Sequence, residues 1–123
     1  MKHPERVDDY LEHILEAIER ATRYLQSLQR IEEFKSSELL QDAVIRNIQI
    51  IGEAARQIHE LAPEFPARHP QIPWEQMRGM RNVVTHEYFF VNLQIVWTTV
   101  RSDLPRLKEQ IHALLLAQQL KSD

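Results

Sequence analysis

The chain has 123 residues, 43% hydrophobic and 27% charged, which fits one soluble globular domain with its own core and argues against a disordered chain. It has no cysteine and only 2 glycines, so disulfide scaffolds, thiolate metal sites and cysteine nucleophiles are excluded and a turn-rich all-β fold is disfavoured. The net charge of −3, from 15 basic and 18 acidic residues, is not the field of a general DNA-coating protein, so work on nucleic acid must come from a local site.

The opening MKHPERVDDY carries charge at once and lacks the apolar segment of a secretory signal. No apolar run approaches the ~20 residues that a membrane helix needs. A cytoplasmic location without membrane association is expected.

Pro4 suits the start of a first helix. Val7, Tyr10, Leu11, Ile14, Leu15, Ile18, Ala21, Leu25 and Leu28 follow in steps of three and four, a stripe of about six turns. Residues 29–37 weaken the pattern, with Glu32 and Glu33 read as solvated charge at the start of a helix and Ser36 or Ser37 as an N-cap. The second stripe comprises Leu40, Ala43, Val44, Ile48, Ile51, Ala55 and Ile58, and Ile45 and Ile50 widen it. Gly52 inside this helix costs about 1 kcal/mol relative to alanine, which marks close packing against another helix, within the bundle or between subunits. Pro63, Pro66, Pro70 and Pro73 make residues 63–73 the one substantial loop.

Pro73 then opens a third helix with Trp74, Met77 and Met80 on its buried side. A final helical region is capped by Asn92, and Leu93, Val96, Trp97, Val100 and Leu104 form its stripe. Pro105 should kink or restart it with Asp103 as cap, after which Leu107, Ile111, Leu114 and Leu115 carry the apolar face and residues 118–123 fray. The expected fold is all-α, an antiparallel four- to five-helix bundle in one domain over 1–123.

The common catalytic signatures are absent. His86-Glu87 is followed by Phe90 where HExxH needs histidine, and GxxxxGK[ST], GxGxxG and GxSxG do not occur. No metal or cofactor is expected.

Residues 78–90 carry the information. Arg81, Asn82, His86 and Tyr88 concentrate polar chemistry in an apolar stretch. On an unbroken helix, Arg81 and His86 are separated by about 500° of rotation, leaving them roughly 140° apart. A helix ending near Thr85 would let the chain swing His86 back toward the arginine. Such a pair could cleave RNA: arginine holds a phosphate and offsets charge on a pentavalent transition state, histidine moves protons near neutrality, and the ribose 2′-OH is the internal nucleophile. Two copies across a dimer would supply acid, base and charge clamp together. Without a shared site, His86 reads as a helix C-terminal cap, Arg81 as a surface ion pair and Tyr88 as a ring at the core edge.

Arg81-x4-His86-x-Tyr88 resembles the RX4HXY motif of the HepT-like proteins, in the HEPN group of helical nucleases. Asp42-Ala43-Val44-Ile45-Arg46, Ile50-Ile51-Gly52-Glu53-Ala54, Ile72-Pro73-Trp74, Val96-Trp97 and Leu104-Pro105 are similar to the family pattern in the same order, so the likeness covers about residues 5–116. The resemblance implies a HEPN-like homodimer with clefts at the subunit interface. It further implies a metal-independent RNA endonuclease serving as the toxin of a type VII-like toxin–antitoxin pair. Arg81 and His86 would be catalytic and Asn82 supporting. A minimal nucleotidyltransferase antitoxin would transfer AMP from ATP to Tyr88. The alternative reading is a non-catalytic helical module that binds a nucleotide or a nucleotidyltransferase partner.

Overall fold

The computed structural model describes residues 6–86 and 92–121, and of residues 82–86 the backbone alone. Among them the chain forms α1 (Val7–Leu25), α2 (Ile31–Lys35), α3 (Glu38–Leu61), α4 (Glu64–Arg68), α5 (Trp74–His86), α6 (Leu93–Thr98), a π-helical turn (Thr99–Asp103) and α7 (Leu104–Lys121), with no strand. The α6–π–α7 run is continuous, so the four principal stripes of the sequence become four helical rods. No described helix is long and apolar enough to cross a membrane.

The rods pack through the apolar positions that the sequence spaces by three and four. α1 lies against α3 and α7, and α5 against α3. Leu11, Ile14, Ile18, Ile51, Ile58, Met77, Leu104 and Ile111 are fully buried where these faces meet. Each such side chain contributes roughly 1.5–3 kcal/mol by leaving water. Asn47 is the buried polar residue of α3, and its Nδ2 donates to the Ala43 carbonyl at 2.9 Å.

Helix ends follow local hydrogen-bond chemistry. Ser37 caps α3, its hydroxyl oxygen accepting from the Leu40 N–H at 3.2 Å. Asn92 caps α6, its Oδ1 accepting from Gln94 at 2.9 Å and Ile95 at 3.2 Å. Arg101 in the π turn donates to the Leu28 and Leu25 carbonyls at 2.9 and 3.4 Å and lies 4.7 Å from the Trp97 ring centroid. It thus closes the C-terminal end of α1, where a cation also suits the helix dipole.

Some expectations are refined and others corrected. Residues 29–37 hold α2, with Glu32 and Glu33 in its first turn as expected of solvated charge at a helix start, and with Phe34 fully buried. Arg30 is its N-cap, and the Glu33 side chain, three residues on, accepts from the backbone N–H of Gln29 at 3.0 Å and of Arg30 at 3.1 Å; these backbone donors hold its carboxyl below the usual range. The proline-rich loop contains α4, because Pro66 sits in a first turn where no N–H is needed, and Phe65 and Pro66 are buried. The α-helix gives way to the π turn after Thr98 and resumes at Leu104, so Pro105 sits in the first turn of α7, where the last rod restarts as expected. The π turn before it widens the helix where proline would clash with the preceding carbonyls, and Asp103 is the last residue of that turn, directly ahead of α7. α7 runs to Lys121, past the expected fraying point. Pro4 lies outside the described residues.

Gly52 decides how near α5 comes to α3. A Cβ built there would lie 2.6 Å from the Arg81 backbone nitrogen and 3.0 Å from both the Arg81 Cβ and the Met77 carbonyl oxygen. The close contact inferred from the sequence is therefore within the subunit. Among the described residues, nothing beyond the adjoining stretch of α5 itself comes within 4 Å of a Cβ built at Gly79. Gly52→Ala should lower stability by about 1–3 kcal/mol through overpacking against backbone, whereas Gly79→Ala should raise it by up to about 1 kcal/mol through helix propensity. Thermal or urea unfolding of the two variants checks the opposite signs.

Candidate active site at the junction of α3 and α5

The spacing Pro73, Gln76, Met77, Met80 turns one face of α5 toward the π turn and α7, where a cleft of about 320 Å³ also takes in Thr99, Arg106 and Gln110. Arg81 is not part of that lining. Its backbone rides over Gly52 of α3, and its side chain is 45% exposed, open enough to meet a ligand.

The residue after Gly52 receives it. Glu53 Oε1 is 3.2 Å from Arg81 Nε. The same carboxylate is gripped along α3 by Arg56, with Nη2 2.7 Å from Oε2 and Nε 3.2 Å from Oε1, and by Gln57 Nε2 at 3.2 Å from Oε2. Arg56 in turn donates to Glu60 Oε1 at 2.7 Å. The hydrogen bonds from Arg56, then that from Gln57 and the charges of Arg56 and Arg81, outweigh partial burial and hold the Glu53 carboxyl below its ordinary value. Glu53 is thus an anion at neutral pH, fixed to α3 on one side and paired with α5 on the other.

The sequence places Glu53 only inside a family-like segment and assigns it no role. The available signal was a glycine followed at once by a carboxylate, with an arginine and a glutamine three and four residues beyond it on the same face. What the sequence could not show is which residue of another helix lies over that glycine.

α5 is helical through His86, within one residue of the end near Thr85 that would bring His86 back toward Arg81. Arg81 and His86 therefore occupy helix positions roughly 140° apart, and the backbone does not turn between them. Asn82 follows Arg81 on the same helix. The side chains of Asn82 and His86, and all of Tyr88, lie outside the described residues. Among the described residues no group of three or more His, Asp or Glu side chains could hold a metal ion. His69 is a structural group: its ring lies 4.7 Å from that of Phe65, its carbonyl accepts from Trp74 Nε1 at 2.9 Å, and burial pushes its pKa down, with Lys121 and Arg68 adding to the shift.

Residues 14–114 match the sequence profile of the family described as ribonuclease HepT-like. The chain belongs to the HepT-like ribonuclease family. Among its relatives, "Probable ribonuclease HepT" of Thermococcus cleftensis is 41% identical over 86% of this chain and 93% of its own length. "Putative RNase TTE0752" of Caldanaerobacter subterraneus is 37% identical over 86% of this chain and 91% of its own. "Gamma-glutamylcyclotransferase and putative RNase MJ0434" of Methanocaldococcus jannaschii is 44% identical over 83% of this chain, but the chain spans only 44% of that relative's length. No solved structure gives a significant match. The helical fold without described strands agrees with the HepT-like assignment.

The Glu53 network has a pH signature. Its folded pKa lies below the ordinary 4.5, so its contribution to stability is present above that value and is lost as pH falls through the folded pKa. Wild type should be more stable than Glu53→Gln at pH 7, and the gap should close on acidification below about pH 4.5. Paired melting curves from pH 7 to 3 measure it; a gap that does not depend on pH contradicts the ion pairing.

Proposed function

We propose that the chain is a metal-independent RNA endonuclease, the toxin of a toxin–antitoxin pair, silenced by AMP addition at Tyr88. The observation that carries the reading is a guanidinium anchored at the helix junction and still open to solvent, in a chain that belongs to a ribonuclease family. Arg81 would bind the scissile phosphodiester and offset the charge gathering on its oxygens in the transition state. His86 would transfer protons, with Asn82 as a polar support beside Arg81. The 2′-oxygen attacks phosphorus and gives its proton to a base, while the P–O5′ bond breaks and the departing oxygen takes a proton from an acid. The products are a cyclic 2′,3′-phosphate and a 5′-hydroxyl, and the nucleophile comes from the RNA itself.

One histidine cannot be base and acid in the same step. A homodimer that brings His86 of two subunits to one cleft would provide both, and this is where the helical register matters. With Arg81 and His86 on different sides of α5, a second copy of the helix is the simplest source of the missing group. Silencing follows from charge. The Tyr88 hydroxyl oxygen would attack the α-phosphorus of ATP, losing its proton and expelling pyrophosphate, in a reaction run by a small nucleotidyltransferase. Each AMP adds bulk and negative charge two residues from His86, which repels an RNA phosphate as a phosphoryl switch would.

Purified protein should cleave single-stranded RNA in EDTA and leave cyclic phosphate ends. Arg81→Ala and His86→Ala should each abolish cleavage while helicity and dimerisation, read by circular dichroism and light scattering, persist. Incubation with the cognate transferase and ATP should add the mass of one or more AMP units at Tyr88 and stop cleavage. Normal cleavage by either alanine variant contradicts the catalytic roles, and AMP on another residue contradicts the acceptor.

A further inference from the structure

The order of two residues on α3 has a geometric consequence on α5. Gly52 removes the side chain that would keep the Arg81 backbone away, with a would-be Cβ only 2.6 Å from its nitrogen. Glu53, the next residue, then places Oε1 3.2 Å from Arg81 Nε. The carboxylate does not depend on Arg81 for its own orientation. Arg56 holds both of its oxygens, at 2.7 and 3.2 Å, and Gln57 holds one of them at 3.2 Å. These partners sit three and four residues along the same helix, so the carboxylate is pre-set on a rigid support before it meets the guanidinium.

A guanidinium offers two edges. The Glu53 contact engages Nε, so the two terminal nitrogens are the pair that remains for a bidentate phosphate. An unanchored arginine would sample many rotamers and would have to be ordered at each turnover. We propose that Glu53 is the positioning residue for Arg81: it does not touch RNA, but it takes the Nε edge and presents the terminal nitrogens to the scissile phosphate. This inference rests on the ribonuclease reading of Arg81.

The test uses the full-length chain with Glu53→Gln, which keeps shape and removes charge, alongside Arg81→Ala. Two readouts are taken: single-turnover RNA cleavage across substrate concentrations, and hydrogen exchange of the Arg81 Nε–H by NMR, the resonance being assigned by its absence in Arg81→Lys. With circular dichroism unchanged, Glu53→Gln should cut kcat by about ten- to a hundred-fold, the scale of a displaced catalytic group, with a smaller change in KM. Its Arg81 Nε–H should exchange faster than in wild type. Wild-type cleavage rates in Glu53→Gln, with Arg81→Ala inactive, overturn the positioning role and leave the nuclease reading standing. A lost rate with unchanged Nε–H exchange overturns it as well, because Glu53 would then act without holding Arg81. Absence of cleavage by wild type, or normal cleavage by Arg81→Ala, overturns the nuclease reading and this inference together.

Discussion

The absence of a single methyl group sets the geometry of this protein. Because residue 52 is glycine, α5 lies on α3 closely enough that a Cβ would meet the Arg81 nitrogen at 2.6 Å. That approach buries Met77 completely and seats Arg81 beside the only acidic residue next to the glycine, Glu53. A helix interior normally loses about 1 kcal/mol to glycine. Here the loss is offset by packing that also delivers a charged group to a fixed place, so one position serves both the core and the site.

Much of the fold was legible in residue spacing. The apolar stripes of α1, α3 and α7 describe their buried faces, and Ser37 and Asn92 announce helix starts because a short polar side chain can satisfy a free N–H only at such positions. The misses have a common cause: short or irregular helical pieces carry too few residues for a period to emerge. α2 has five residues and shows only Phe34 to the core. α4 is hidden by prolines, although proline is excluded from helix interiors and not from first turns. The π turn ahead of Pro105 depends on how one backbone yields to a ring, which no hydrophobic pattern records.

The site was legible in part. Arg81 was singled out by its place in a polar cluster, and the family assignment rests on residues 14–114 as a whole. Glu53 carries no such mark in the sequence because its partner lies 28 positions away on another helix. Helical stripes predict that α3 and α5 touch, but not the register of one along the other. The continuation of α5 through His86 also changes the reading. A local swing of the chain is not what separates or joins Arg81 and His86, and in the proposed mechanism a second subunit must make up the catalytic set.

The central claim is that Arg81, anchored by Glu53, is the phosphate clamp. The most direct test is a crystal structure with a short RNA whose 2′-hydroxyls are all methylated, so that it binds without being cut. The account predicts a phosphodiester within hydrogen-bond distance of the terminal nitrogens of Arg81, while Glu53 stays on Nε. A phosphate backbone that passes elsewhere, or an Arg81 that abandons Glu53 in order to reach it, would contradict the account.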